Sequence, residues 1–179
     1  EITGISGIIN GTGNFILTEM SSAGRSFGDV LAEAQALGYA EADPTFDVDG
    51  TDAAHKLAIL ASIAFGTPVG TENVAKEGID LITPDDLEFA AELGFRVKHL
   101  GIARRTGGAV DLRVHPTLLP ERQLLARVDG VLNAVRIECD AVGELVLTGP
   151  GAGSLPTASA VCADLADLAK SLGGRVAAP

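Results

Sequence analysis

The sequence predicts an α+β domain whose sheet is mixed and mainly antiparallel, with helices on one face. Three observations carry that expectation. Helical spacing and capping residues crowd the first half of the chain, the hydrophobic period drops to two after Gly94, and the strands that follow have no helix between them. The sheet face without helices is expected to meet solvent or a partner.

Taken in order, Asn10 followed by Phe15, Ile16 and Met20 marks a helix that ends near Gly24. Ser26 and Asp29 form a capping pattern for a second helix, with Val30, Leu31, Ala34 and Leu37 on one face and Gly38 as its stop. A third spans about Thr51 to Phe65 and closes at Gly66. A fourth starts at Thr83-Pro84, a cap followed by first-turn proline, and ends at Gly94. Phe95 to Arg105 then reads as a strand, Thr106-Gly107-Gly108 as a tight turn, and Ala109 to His115 as the returning strand. There Val110, Leu112 and Val114 alternate with polar residues. Leu124 to Val128, Asn133 to Ile137 and Leu145 to Leu147 read as further strands. The glycine-rich loop Gly149 to Gly153 leads into a last helix over 156–172.

Composition narrows the function classes. At 179 residues the chain suits one domain, and 46% apolar with 21% charged residues is ordinary globular usage. The formal charge of −11, without a basic cluster or Trp, disfavours nucleic acid as a partner. No apolar run approaches the ~20 residues of a membrane span, and no secretory signal is present, so a cytoplasmic protein is expected. Cys139 and Cys162 have no metal-type spacing and read as buried free thiols. No metal site is expected.

The segment from Gly38 to Lys56 holds the densest polar information, with five carboxylates between Glu41 and Asp52. Asp52 and Lys56 stand four residues apart and share a helix face, which continues into Ile59, Leu60 and Ile63. The pair is therefore expected where a buried stripe begins. Partial burial is the condition under which a lysine can exchange protons near neutral pH. Glu41 and Asp47 could hold an ammonium group. On spacing alone, an exposed ion pair beside a solvated acidic loop is the plainer alternative. Calcium fits poorly, because the loop lacks the ligand series of an EF-hand. His55 falls one position round from Lys56 and is expected to face away. His99 and His115 lie in strands without a second ligand, and Arg104-Arg105 reads as a solvated hairpin end.

The pattern Gly38-Tyr39-x-Glu41-x-Asp43-Pro44-x-x-Asp47-x-x-Gly50-x-Asp52-x-x-x-Lys56 resembles the signature of the homoserine dehydrogenase family. Gly4 to Leu17 with its Asn10-Gly11-Thr12 core, Ala64-Phe65-Gly66 with Glu77-Gly78-Ile79, and Gly149 to Val161 agree with it. The resemblance implies Lys56 as proton donor and acceptor, with Asp52 as its partner. It implies Glu41 on the substrate amino group, Asp47 and Thr12 in the same pocket, and Tyr39 as a wall. Gly151, Ala152 and Gly153 would approach an NADP or NAD cofactor.

By the same resemblance, residues 1–179 form a substrate-binding catalytic domain that interconverts L-homoserine and L-aspartate 4-semialdehyde, a step of threonine and methionine biosynthesis. The helix over 156–172 would return to a nucleotide-binding domain, for which this chain carries no G-x-G-x-x-G fingerprint. The chain alone is expected to be inactive, and a homodimer through the bare sheet face is implied. The alternatives are a related dehydrogenase of another small hydroxy acid and a non-catalytic dimerisation or ligand-binding module. Glu41 separates the first, since only an amino-acid substrate needs an ammonium partner. Silent Asp52 and Lys56 substitutions would mark the second.

Overall fold

The computed structural model describes residues 1–172. Its sheet has six strands: β1 (Ile2–Ile8), β2 (Ala75–Lys76), β3 (Phe95–Thr106), β4 (Ala109–Pro120), β5 (Leu132–Cys139) and β6 (Gly143–Pro150). Their spatial order is β2-β4-β3-β1-β5-β6, with every pairing antiparallel except β2 with β4. The helices are α1 (Gly11–Ala23), α2 (Phe27–Ala36), α3 (Thr45–Val48), α4 (Thr51–Phe65), α5 (Pro84–Glu92) and α6 (Ser154–Leu172). The expected α+β class is found.

Local chemistry explains the helix limits. Asn10 accepts the Gly13 N–H and caps α1, Ser26 accepts from Asp29 to cap α2, and Thr83 with Asp86 builds a full capping box on α5. Leu37 differs from expectation: it follows the end of α2 and is exposed, leaving Val30 and Ala34 as that helix's buried contacts. Residues 124–128 form no strand. Leu124–Arg127 is a 3-10 turn that drops Leu125 and Ala126 onto Ile8, Leu100 and Leu119.

The largest difference is β1, which the sequence reading passed over. It occupies the centre of the sheet, between β3 and β5. Five successive residues from Gly4 to Ile8 are buried, so the strand is covered on both faces and shows no alternation.

Two apolar clusters sit between the sheet and its helices. One joins Ile5, Ala103, Leu112 and Val114 to Leu57, Ala61 and Phe65 of α4. The other holds Phe15, Ile16, Leu17 and Met20 of α1 against Val30, Ile79 and Leu87. Between them they fix the start of α1 beside the start of α4, at the centre of the sheet. The helical cover stops short of β6, however. Leu147 pairs with Val135, which packs on the α4 cluster, so Leu147 points to the helix-bearing side, yet it is exposed. Leu145 is exposed on the same face. No residue of α6 is buried, so among the described residues this helix stands off the domain.

Candidate active site

The cavity lies where the starts of α1 and α4 meet the loop between α2 and α3. It measures about 730 Å³ and is open to solvent on one side. All nine residues singled out from the sequence line it: Thr12, Tyr39, Glu41, Asp47, Asp52, Lys56, Gly151, Ala152 and Gly153. They come from α1, the α2–α3 loop, α3, α4 and the turn after β6.

Asp52 is the centre of the polar network. Lys56 Nζ donates to Asp52 Oδ2 at 2.7 Å. Asn10 Nδ2 donates to the same oxygen at 2.9 Å and to Asp47 Oδ1 at 2.8 Å. The amide thus donates to two neighbouring carboxylates, while its own oxygen caps α1. α4 itself starts from Gly50, held at φ 85 against His99 and Val114, where a side chain would meet the imidazole. Lys76 Nζ binds Asp49 Oδ2 at 2.7 Å just ahead of that start.

The wall is built from the loop after α2. Thr12 Oγ1 donates to the Tyr39 carbonyl at 2.7 Å, tying this loop to α1. The Tyr39 ring stands edge-on to Phe15, with centroids 5.1 Å apart. Gln35 donates to the Glu41 carbonyl at 3.0 Å, and the Glu41 carboxylate has no side-chain partner among the described residues. Asp43 is taken up locally. The Thr45 hydroxyl and backbone N–H donate to it and hold it below the usual carboxylate range.

One expectation about Lys56 is corrected. The face that continues from Lys56 into Ile59 and Ile63 is not buried; those isoleucines are 60% and 77% exposed, and α4 buries Ala53, Leu57, Ala58 and Ala61 instead. The Lys56 side chain is 47% exposed against 21% for Asp52. The acid is the more sheltered member of the pair.

The other groups fall outside the cavity. His55 is exposed and meets Phe46 edge-on, as its helical position requires. His99 is buried behind the site, with Nε2 2.8 Å from the Glu77 carbonyl. Burial lowers its pKa, against a smaller opposite pull from that carbonyl. Arg105 is less free than a hairpin end: it donates to the Phe65 carbonyl at 2.8 Å and covers the Phe65 ring. Both cysteines are free thiols, but neither is buried, since Cys139 is partly covered and Cys162 exposed.

Two polar residues of the cavity were not foreseen as such. Asn10 stood out as a helix cap and within the Asn10-Gly11-Thr12 core, but without a role in the site. Asn133 gave none, because an asparagine in a half-buried strand carries no periodic mark.

Residues 1–166 match the sequence profile of the homoserine dehydrogenase family. Homoserine dehydrogenase of Pseudomonas aeruginosa is 60% identical over 172 residues, covering 96% of this chain and 40% of its own length. That of Neisseria gonorrhoeae is 59% identical over 170 residues, covering 95% and 39%. The crystal structure of a homoserine dehydrogenase from Thiobacillus denitrificans superposes with a TM-score of 0.93 at 57% identity, over 99% of this chain and 42% of that one. A hyperthermophilic archaeal homoserine dehydrogenase mutant solved in complex with NADPH superposes at 0.77, with 32% identity over 97% of this chain and 49% of that one. The chain spans about 40% of the length of these curated relatives.

Proposed function

The chain belongs to the homoserine dehydrogenase family, and we propose that it is the substrate-binding and catalytic domain of such an enzyme. The reaction is the reversible, NAD(P)-dependent oxidation of L-homoserine to L-aspartate 4-semialdehyde, on the route to threonine and methionine. The observation that carries this reading is one cavity in which a lysine–aspartate pair, a glutamate whose carboxylate has no partner among the described residues and a glycine-rich turn converge.

Each residue then has a role. Lys56 takes the hydroxyl proton of homoserine on its amine and returns it in the reverse direction, while Asp52, itself fixed by Asn10, holds the resulting ammonium in place. Glu41, whose carboxylate has no side-chain partner among the described residues, receives the substrate ammonium, and Asp47 adds negative charge beside it. Thr12 and Tyr39 shape the wall. The turn over 151–153, where Gly151 packs without a Cβ against the Asn133 side chain, forms the wall assigned to the nicotinamide. The bound NADP or NAD supplies the hydride acceptor, and the residues of this chain orient the substrate and handle its proton.

Residues 1–179 alone would then be inactive, since the dinucleotide needs a seat beyond this turn. The outward apolar stripe of α6, with Leu155, Val161, Leu165, Leu168 and Leu172 exposed, suits docking onto a nucleotide-binding domain. A homodimer through the sheet surface that α1–α5 leave bare belongs to the same proposal. No helix among the described residues is long and apolar enough to cross a membrane, and a cytoplasmic enzyme is part of the reading.

The test is homoserine-dependent reduction of NADP and NAD by the full-length protein that carries this chain, compared with its Lys56→Ala variant. A fall in kcat of ~100-fold or more is expected for loss of a general acid–base group. Absence of turnover in the unaltered protein would remove the reading. Turnover that Lys56→Ala leaves intact would remove the mechanism alone.

A further inference from the structure

The segment from Lys76 to Ile79 lies outside the cavity, yet it grips the junction between α3 and α4, the stretch with Asp47 on one side and Asp52 on the other. Lys76 Nζ donates to Asp49 Oδ2 at 2.7 Å and to the Thr51 hydroxyl. The Glu77 carbonyl lies 2.8 Å from His99 Nε2, and that imidazole backs Gly50. Gly78 packs against the junction backbone, and the Ile79 N–H donates to the Val48 carbonyl at 2.9 Å.

The other side of this strap is fixed to the domain. Ala75 and Lys76 pair with Arg113 and Val114 of β4, and the Glu77 N–H donates to the Val114 carbonyl at 2.8 Å. Ile79 is fully buried in the cluster around α1. By contrast, α3 is four residues long and buries none of them. The junction therefore takes its position from the strap, and the closest approach is at Gly78. A Cβ there would lie 2.7 Å from the Val48 carbonyl oxygen and 3.0 Å from Asp49 Cα, backbone atoms that no rotamer change can move aside. Gly78 has no positive φ, so it is space and not backbone conformation that selects glycine. Across the junction, Asn10 Nδ2 bridges Asp47 and Asp52 with bonds of 2.8 and 2.9 Å, so displacing the junction changes the spacing of those carboxylates.

We propose that Gly78 is a positioning residue for the reaction: by letting strap and junction meet backbone to backbone, it sets Asp52, and with it Lys56, relative to Asp47 and the substrate. The assignment rests on the homoserine reading given above. The strap itself touches neither substrate nor dinucleotide; its effect passes through the first turn of α4, where Asp52 stands.

The test is steady-state kinetics with homoserine, and calorimetric titration with whichever of NADP or NAD the full-length protein binds, before and after Gly78→Ala. Misplacement by about 1 Å can cost ~100-fold in rate, so the smaller shift forced here should lower kcat/KM for homoserine roughly 10-fold. The dinucleotide Kd should stay within about threefold, because the turn over 151–153 is remote from the strap in the chain and is not moved by it. A glycine with a structural task alone would lower the urea midpoint and leave kcat/KM of the folded protein unchanged, which would overturn the assignment. Equal losses for homoserine and dinucleotide would overturn it as well. If Gly78→Ala does not fold, Lys76→Met decides, since that side chain is 41% exposed and its loss leaves the core intact. Its kcat/KM should fall, and Lys76→Arg, which retains a cation for Asp49, should restore most of the loss; no fall, or a fall that Arg does not restore, would overturn the assignment. Homoserine turnover by the unaltered protein leaves the parent reading standing in each of these cases. If the unaltered protein turns over no homoserine, both fall.

Discussion

Asn10 and Asp52 are joined by a 2.9 Å hydrogen bond, and the Asp52 oxygen that accepts it is the one that Lys56 also reaches. One neutral amide therefore holds together a helix cap, a second carboxylate on Asp47 and the acid–lysine pair. Asn10→Ala removes all three contacts. Loss of a cap of this kind costs about 1 kcal/mol, and urea unfolding should show at least that much. Asn10→Asp retains the cap oxygen but brings a third carboxylate onto Asp47 and Asp52. Its homoserine turnover should fall as far as that of Asn10→Ala or further. An Asp variant with undiminished turnover would show that the donated hydrogen bonds are dispensable.

Glu41→Gln should act on binding. A hydrogen bond to a charged group contributes about 1.5–3 kcal/mol, so KM for homoserine should rise roughly 10- to 100-fold while kcat changes far less. Steady-state kinetics decides it. A variant that loses kcat at unchanged KM would place Glu41 elsewhere in the reaction.

Lys98 is a buried cation with a structural task. Its side chain is 3% exposed and binds Asn14, the Val128 carbonyl and the half-exposed Asp129. Burial pulls its pKa down, and the bond to Asp129 pulls it partly back. Lys98→Ala should cost about 1–3 kcal/mol, because Asn14 Oδ1 would be left buried without a donor. Lys98→Met fills the same space but still leaves Asn14 Oδ1 without a donor, so it should recover only part of that loss. Equal stability of Lys98→Ala and the unaltered protein in urea would refute this account.

His99 predicts a pH dependence of stability. Burial depresses its folded pKa, the carbonyl of Glu77 opposing. An unfolded histidine takes up its proton near pH 6.5, whereas the buried one does so only at lower pH. Between those values the unfolded state binds more protons, so stability is full above about pH 6.5 and declines as pH falls below it. Urea midpoints at pH 7.5 and 5.5 should therefore separate more for the unaltered protein than for His99→Gln. Equal separations would assign the acid sensitivity to other groups.

The parts of this fold legible in the sequence were those with local causes. Ser26 and Thr83 announce α2 and α5 because their side chains satisfy the first-turn N–H groups of their own helices. The β3–β4 hairpin shows itself through its Gly107-Gly108 turn and the alternation beyond it. β1 stayed hidden for a non-local reason: covered on both faces, it needs no alternation, and its partners lie far along the chain. Leu124–Arg127 misled because an apolar run fits a strand until the site where it packs is known. In the cavity, the charged residues stood out by density. The exposure of Ile59 and Ile63 could not be read, because helical spacing defines a face without saying which side the sheet will take. Asn133 depends wholly on strand register.

The central place of β1 also bears on how the chain acquires its shape. Gly4 stands in register between Arg104 of β3 and Glu138 of β5, so the first strand of this chain is paired only when much later segments arrive. Contacts of such long sequence separation slow folding, because loop-closure entropy is lost before they form. During synthesis β1 has to wait, with its apolar residues open to wrong pairings, until both the β3–β4 hairpin and β5 have emerged from the ribosome. Slow refolding from urea, with β1 amides among the last to gain exchange protection, is the kinetic signature that this strand order entails.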